Sequence, residues 1–118
     1  MFTYLNNPNV SLFEILVPAY CSMVQDYDDP VTDYIMTDLH NQWDAYVNGI
    51  CGGLTILKTQ KGQWFHQERG IINETMIPVR IACTAEQLDQ VLTFTLEHYQ
   101  QEEVMAYKVS DQVVFAKN

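Results

Sequence analysis

The chain has 118 residues, of which 47% are hydrophobic and 18% are charged. This size and composition are those of one ordinary packed domain and exclude a disordered chain. The formal net charge of −9 at pH 7 disfavours binding to nucleic-acid phosphates or to an anionic membrane surface. We therefore interpret residues 1–118 as a single domain, with no nucleic acid and no membrane among its partners.

The amino-terminal segment has none of the marks of a secretory signal. Residues 1–5 contain no Lys or Arg and lead into Asn-rich turn chemistry around Pro8. No apolar run approaches the roughly 20 residues needed to span a membrane. We expect a cytoplasmic protein in which residues 1–11 form an arm or loop.

A strand and a helix are predicted for the first half. Residues 12–17 form a short apolar run that ends at Pro18, which is typical of a buried strand. From about residue 32 to residue 48 the apolar side chains recur at steps of three and four, which predicts an amphipathic helix. Its inner stripe is expected to consist of Ile35, Leu39, Trp43 and Tyr46 or Val47.

A glycine pair, Gly52-Gly53, introduces a predicted β-hairpin. Residues 54–58 and 63–66 have strand composition, and residues 60–62 between them predict the turn. The glycine pair follows a helix and precedes a strand, which is the reverse of a phosphate-binding loop. It therefore predicts a helix-to-strand turn.

The second half continues with strand, helix and strand. Residues 71–82 form an apolar run in which Pro78 indicates an edge, a bulge or the start of the strand. Residues 84–87 match the T-x-x-Q capping box, so a second helix should begin at Thr84. After it, residues 104–109 predict a strand, and residues 113–115 predict a short partner strand across a Ser-Asp turn.

This order of elements predicts an α+β fold, a ferredoxin-like two-layer sandwich with both helices on one face of an antiparallel sheet. The other sheet face must then meet solvent, a ligand or a second subunit. Seven Tyr, five Phe and two Trp are more aromatic residues than one such core needs. We therefore expect a homo-oligomer joined through sheet faces or edges, and a protein partner is also possible.

Short motifs in the hairpin region resemble those of a family of small bacterial and phage-borne proteins. The shared pattern is GG-x-T, G-x-W, a following acid and a Gln before the last strand, here at residues 52–55, 62–64, 74 and 101. The resemblance spans about residues 12–109 and implies a bacterial or phage protein of ferredoxin-like topology, with no assigned activity. The topology is also similar to that of the trimeric signalling and cation-tolerance proteins of the nitrogen-regulator and CutA type. Their nucleotide-binding loop signatures are absent from the sequence, so no residue role follows.

The cysteines and the acidic cluster predict neither a disulfide framework nor a metal site. Cys21, Cys51 and Cys83 are odd in number, without C-x-x-C spacing, and suit a core. Cys51, beside the glycine pair, is the one to test for reactivity. Asp residues at 26, 28, 29 and 33 lack the glycine turn of a calcium loop. We expect no metal and no cofactor.

The sequence offers a small set of candidate site residues. His66, with Glu74 or Glu68, is the best candidate for a general base or ligand, although a surface His in a strand is the more common case. Trp64 and Tyr107, with Phe65 and Trp43, could wall an apolar pocket between sheet and helices.

Arg80 is a further candidate of a different kind. It lies between Val79 and Ile81 in an apolar strand and needs a partner, which Glu74 or Glu14 could supply. We count Arg80 with Trp64 and Tyr107 as ligand-binding candidates, although an ion pair there would be structural first.

Three functions remain open on this basis. The first is a small acidic homo-oligomeric binding protein that uses an aromatic sheet surface. The second is a cofactor-independent enzyme with a pocket between sheet and helices, acting through His66 and Glu74. The third is an acidic decoy that mimics DNA, because residues 1–57 contain seven acids and no Lys or Arg. The sequence leaves open whether there is catalysis.

Overall fold

The structure is a computed structural model that describes residues 3–21 and 30–118. Its two helices are α1 (Pro30–Cys51) and α2 (Ala85–His98). The strands are β1 (Thr3–Asn6), β2 (Ser11–Pro18), β3 (Thr55–Ile56), β4 (Gln60–His66), β5 (Gly70–Cys83), β6 (Ala106–Ser110) and β7 (Val114–Lys117). Neither helix is long and apolar enough to cross a membrane.

The described strands form two sheets. Five of them make an antiparallel sheet with the order β3-β5-β2-β6, and β4 pairs with the amino-terminal half of β5. β1 and β7 pair with each other in a separate two-stranded sheet. Both helices pack on one face of the larger sheet, so the predicted ferredoxin-like sandwich is confirmed.

The core lies between the helices and the central strands β2 and β5. Alternate residues of a strand point to opposite faces, and the odd-numbered residues of both strands point to the helices. The strands contribute Phe13, Ile15, Val17, Val79, Ile81 and Cys83 to the core cluster. The helices contribute Met36, Trp43, Val47 and Val91, and Tyr99 joins them from the position just after α2. The even-numbered residues lie on the opposite side, which we call the outer face.

A two-stranded arm extends from this sheet. β5 has 14 residues, but only residues 76–83 pair with β2. Residues 70–75 pair with β4 and not with β2, and Met76 belongs to both ladders, so the β4 ladder runs from Gln60 opposite Met76 to His66 opposite Gly70. We call residues 60–76 the arm. Seven strand residues span about 23 Å, and the molecule is elongated, with a longest extent of 53 Å.

The predicted hairpin between residues 54–58 and 63–66 is wrong. Both segments pair with β5 instead, with Thr55 opposite Arg80 and Trp64 opposite Ile72. They follow one another along the same edge of β5, and Pro78 lies where one ladder ends and the next begins. The turn of the actual hairpin precedes Gly70, whose φ of +75° suits glycine.

Two terminal predictions are also corrected. Residues 3–6, expected in an arm or loop, form β1. The last strand, expected to pair with β6 across the Ser-Asp turn, is β7, and it pairs with β1, with Tyr4 opposite Ala116. Local turn composition predicts the turn, whereas the partner is set by a contact between the two ends of the chain.

The helix boundaries follow the predicted signals. The side chain of Thr84 accepts a hydrogen bond from the Gln87 N–H, and the Gln87 side chain accepts one from the Thr84 N–H, which confirms the capping box. Gly52, with a φ of +80°, ends α1 and confirms the helix-to-strand turn. In α1 the buried stripe includes Met36 rather than the expected Ile35, which is exposed.

Candidate functional site

A buried carboxylate lies at the centre of the outer face. Glu14 is only 5% exposed. Its Oε1 accepts a hydrogen bond of 2.9 Å from Nε of Arg80, and its Oε2 accepts one from the Tyr107 hydroxyl. Both carboxylate oxygens are therefore held. The expectation that Arg80 needs an acidic partner is confirmed, and that partner is Glu14 rather than Glu74.

The strand register produces this cluster. Glu14 lies on β2, opposite Arg80 of β5 on one side and opposite Tyr107 of β6 on the other. Directly opposed residues share one face of a sheet, so three residues distant in sequence meet there. The structure thus brings together two of the three predicted ligand-binding residues, and Glu14 joins them.

The third predicted residue, Trp64, lies on the arm. Its Nε1 donates a hydrogen bond of 2.6 Å to Oε2 of Glu74, and its side chain remains 38% exposed. The opposite side of the arm carries Phe65 and Ile71, which face each other across the ladder and are 78% and 66% exposed. The arm therefore presents an aromatic ring with a carboxylate on one side and a bare apolar pair on the other.

His66 and Glu74 lie apart within one chain. His66 is opposite Gly70 at the end of the ladder, and Glu74 is opposite Gly62. The two positions differ by four residues along the arm, or about 13 Å. Nδ1 of His66 accepts hydrogen bonds from the backbone N–H groups of Glu68 and Arg69. The catalytic pair remains a prediction, and Trp64 is the hydrogen-bonded partner of Glu74 instead.

The proposed aromatic wall is divided between the two sides of the sheet. Trp43 is buried on the helix side, whereas Tyr107 binds Glu14 on the outer face. Trp64 lies farther out, on the arm, where it binds Glu74. Glu74 and Arg80 are on the same side of β5 but six residues apart. That separation corresponds to about 20 Å. One chain therefore carries two separate polar groups on its outer face, one on the arm and one on the sheet.

A cavity of about 200 Å³ lies on the helix side. It is lined by Val17, His40, Trp43, Asp44, Ile56, Ile77, Val79 and Tyr99. Two of its polar groups are paired with each other. Nε2 of His40 donates to the Ala19 carbonyl oxygen at 3.1 Å, so Nδ1 accepts from the Tyr99 hydroxyl at 2.6 Å.

Burial shifts the pKa of three groups that line the cavity. It lowers the pKa of His40, raises the pKa of Asp44, and raises the pKa of Tyr99. Through its hydrogen bonds to Ala19 and Tyr99, His40 joins α1 to the residue that follows α2. Sequence reasoning missed this cluster because its members lie 59 residues apart on different helices, each beside an apolar neighbour.

Two further features singled out in the sequence are the acidic cluster and the cysteines. Asp26, Asp28 and Asp29 lie outside the described residues, and within residues 3–21 and 30–118 no three His, Cys, Asp or Glu side chains form a group that could hold a metal. Burial raises the pKa of Cys51, and raises that of Cys83 to about 12. The raised pKa disfavours the reactive thiolate at Cys51.

Comparison with known proteins identifies the fold. No family model and no curated protein matches the sequence. Solved structures do match: CutA from Synechococcus elongatus PCC7942 is 15% identical, with a TM-score of 0.56 over 92% of this chain and 81% of that one. CutA1 from Ehrlichia chaffeensis, a divalent ion tolerance protein, is 10% identical, with a TM-score of 0.54 over 86% and 80%.

A phage enzyme has the same fold. A phage SAM lyase in complex with S-methyl-5'-thioadenosine is 15% identical to this chain, with a TM-score of 0.58 over 92% of this chain and 88% of that one. At these identities the likeness establishes the CutA-like, ferredoxin-like fold. The resemblance of the short motifs to a bacterial and phage family stays a prediction.

Proposed function

We propose that this protein is a homo-oligomer that binds a small cationic ligand on its outer face, at a site shared by two copies. The arm of one copy supplies Trp64 and Glu74, and the sheet of its neighbour supplies Arg80 and Tyr107. The observation that carries the proposal is the exposed Trp64–Glu74 pair on an arm that extends beyond its own sheet.

Two features of the surface support a shared site. Within one chain the two polar groups are about 20 Å apart along β5, which is too far for a small ligand to contact both. The outer face beside Tyr107 carries further exposed apolar side chains, Met105 and Val109. A second copy that covers this face with its arm would bury them together with the apolar side chains of both surfaces.

The arm has the chemistry of a cation site. An indole ring attracts a cation to its face, and a carboxylate attracts it by charge. Trp64 and Glu74 hold each other through one hydrogen bond, so their geometry is set before a ligand arrives. A soft organic cation fits this pair better than a hydrated metal ion, which needs several oxygen ligands.

We further propose that the cation is the sulfonium of S-adenosylmethionine and that the protein cleaves it. The phage SAM lyase has this fold and holds S-methyl-5'-thioadenosine, which is the thioether left when S-adenosylmethionine loses its amino-acid portion. This supports the ligand and the reaction as a proposal, and the residues of the arm supply the charge that a sulfonium requires.

The cleavage needs no resident cofactor. One oxygen of the ligand's own carboxylate bonds to its γ-carbon while the bond from that carbon to sulfur breaks, and the electron pair leaves with sulfur. The products are a neutral thioether and a lactone, and no proton or water is consumed. The protein would bind the extended ligand, bend it so that the oxygen approaches the carbon, and exclude competing water.

The test is incubation of the purified protein with S-adenosylmethionine, followed by mass spectrometry of the small-molecule products. We expect S-methyl-5'-thioadenosine to accumulate in proportion to protein concentration. Glu74→Gln should lower the rate about 100-fold or more, because it removes the negative charge beside the cation. Glu97→Gln, at an exposed position of α2, makes the same change elsewhere and should leave the rate unchanged.

Other results would contradict parts of the proposal. If the protein binds S-adenosylmethionine and forms no thioether, it is a binding protein without turnover. If it neither binds nor cleaves the ligand, the proposed ligand is wrong. A rate that falls equally in the Glu74 and Glu97 variants would rule out a specific role for the arm.

A further inference from the structure

We infer that Arg80 forms the carboxylate-binding end of the outer-face site and selects ligands that carry an amino-acid carboxylate. This inference rests on the proposed function and assigns the end of the ligand opposite to the cation. Trp64 and Glu74 explain how a positive charge is held, and they leave the negative end of such a ligand without a partner.

The ion pair leaves much of Arg80 available. A guanidinium has five N–H donors, and the hydrogen bond to Glu14 uses Nε alone. The side chain of Glu14 is only 7% exposed, whereas that of Arg80 is 42% exposed. The carboxylate therefore anchors the buried edge of the guanidinium, and the exposed part of the side chain includes groups that can still donate.

Tyr107 makes this arrangement rigid. Its hydroxyl donates to Oε2 of Glu14, so the carboxylate that receives Nε of Arg80 through Oε1 is itself held in place through its other oxygen. A guanidinium fixed along one edge presents its remaining donors in a defined direction. Planar, paired donors of this kind suit a carboxylate.

The position of Arg80 is electrically distinctive. Among the described strand residues of the five-stranded sheet, Arg80 is the only Lys or Arg on the outer face. Lys61 is opposite Thr75, and Lys108 is opposite Phe13. Both lysines therefore lie on the side of the sheet away from the outer face. Nζ of Lys108 is 5.8 Å from the centroid of the Phe13 ring. In a chain of net charge −9, an anionic group that approaches the strands of this face therefore finds Arg80 as their one cation.

The two ends of the ligand are then recognised by different copies. Arg80 and Glu74 of one chain are about 20 Å apart, whereas the sulfonium and carboxylate of one ligand are separated by only three carbon atoms and the carboxyl carbon. Each oxygen of the ligand's carboxylate keeps a second lone pair when it accepts a hydrogen bond from Arg80. Binding to Arg80 therefore orients the carboxylate without blocking its attack on the γ-carbon.

The experiment measures binding of two probes by isothermal titration calorimetry, S-adenosylmethionine and decarboxylated S-adenosylmethionine. The second probe keeps the sulfonium and lacks the carboxylate. Wild-type protein should bind the first at least tenfold more tightly. Arg80→Gln should weaken binding of the first probe at least tenfold and change binding of the second less than twofold, because only the first has a group that Arg80 contacts.

Two variants guard against a merely structural effect. Arg80→Lys keeps the positive charge beside Glu14, so the fold is retained, but its single ammonium lacks the paired donors and should also lose most of the preference. Lys117→Gln makes the same loss of charge on the separate β1–β7 sheet and should alter neither affinity.

Each outcome decides between the claims. If Arg80→Gln and Arg80→Lys weaken both probes equally, or weaken neither, the inference about Arg80 is overturned while the proposed ligand stands. If wild-type protein binds both probes with the same affinity, there is no carboxylate subsite. If wild-type protein binds neither probe, the proposed function is wrong and this inference is wrong with it.

Discussion

The Thr95 hydroxyl holds the centre of the helix layer together. Trp43 and Thr95 are 1% and 0% exposed. The Thr95 hydroxyl accepts a hydrogen bond of 2.9 Å from Nε1 of Trp43 and donates one of 2.6 Å to the Val91 carbonyl. The indole N–H of α1 is thus paired with α2 at a place that water cannot reach, and a buried donor without a partner is costly.

Thr95→Val should therefore destabilise the protein. The substitution keeps the shape of the side chain and removes the acceptor of the Trp43 N–H, at a cost of about 1–3 kcal/mol in the free energy of unfolding. Urea denaturation followed by Trp fluorescence measures this. Thr93→Val, at an exposed position of the same helix, should change the free energy by less than about 0.5 kcal/mol. Equal effects of the two substitutions would show that the buried hydrogen bond contributes nothing.

Residues differ in how far the sequence predicts their role. A lone Arg in an apolar strand must have an acidic partner, and this argument alone points from Arg80 to Glu14 as one of two candidates. That Tyr107 also binds Glu14 depends on the register of β6 against β2, which nothing local sets. The same holds for the arm, where Glu74 binds Trp64 rather than His66 because the turn places Gly70 opposite His66.

The capping box joins the start of α2 to the rest of the fold. Beyond its bond with Thr84, the Gln87 side chain donates to the Ile50 carbonyl at 3.0 Å. That carbonyl belongs to the last turn of α1, where carbonyl groups lack helical partners. One motif therefore satisfies the beginning of one helix and the end of the other.

Thr84→Ala should lower the free energy of unfolding by about 1 kcal/mol, because the N–H of Gln87 loses its acceptor. Thr84→Ser keeps the hydroxyl and should restore most of the loss. Thermal unfolding followed by circular dichroism compares the two variants with the original protein. A Ser variant as unstable as the Ala variant would mean that the methyl group of Thr84, and not the cap, provides the stabilisation.

Elements are predictable to the extent that their signals are local. The start of helix α2 follows from a capping box, a signal contained within four residues. The turn composition at residues 60–62 predicts a hairpin, but β5 is long enough to pair with both preceding segments, so they align along it instead of with each other. Strand pairing depends on which partner offers the longer ladder, which a local turn signal does not reveal.

At the scale of the whole molecule, charge and exposed apolar surface suggest different partners. The acidic half of the chain motivates the DNA-mimic decoy, which stays a prediction, because three of its clustered acids lie outside the described residues. The exposed pair Phe65 and Ile71 on the arm instead favours a second copy. A partner held by charge would be released by moderate salt, whereas an apolar interface between copies would persist.

Mixing two variants tests the shared site directly. Glu74→Gln disables the arm of a copy and Arg80→Gln weakens binding at its sheet, so at substrate concentrations well below saturation each variant alone should cleave S-adenosylmethionine much more slowly than the original protein. In a closed ring, each site takes its arm from one copy and its sheet from the next. When the variants are co-expressed in equal amounts, half of the arms and half of the sheets are intact. Random assembly then makes about a quarter of the sites intact, whatever the number of subunits.

The expected result is therefore a mixture with about a quarter of the activity of the original protein, and the same fraction of high-affinity sites in calorimetry. Native mass spectrometry of the mixture must show mixed oligomers, since copies that do not exchange cannot complement each other. If mixed oligomers form and no activity returns, the arm and the sheet of each site belong to one chain. The shared site would then be wrong even if S-adenosylmethionine is the substrate.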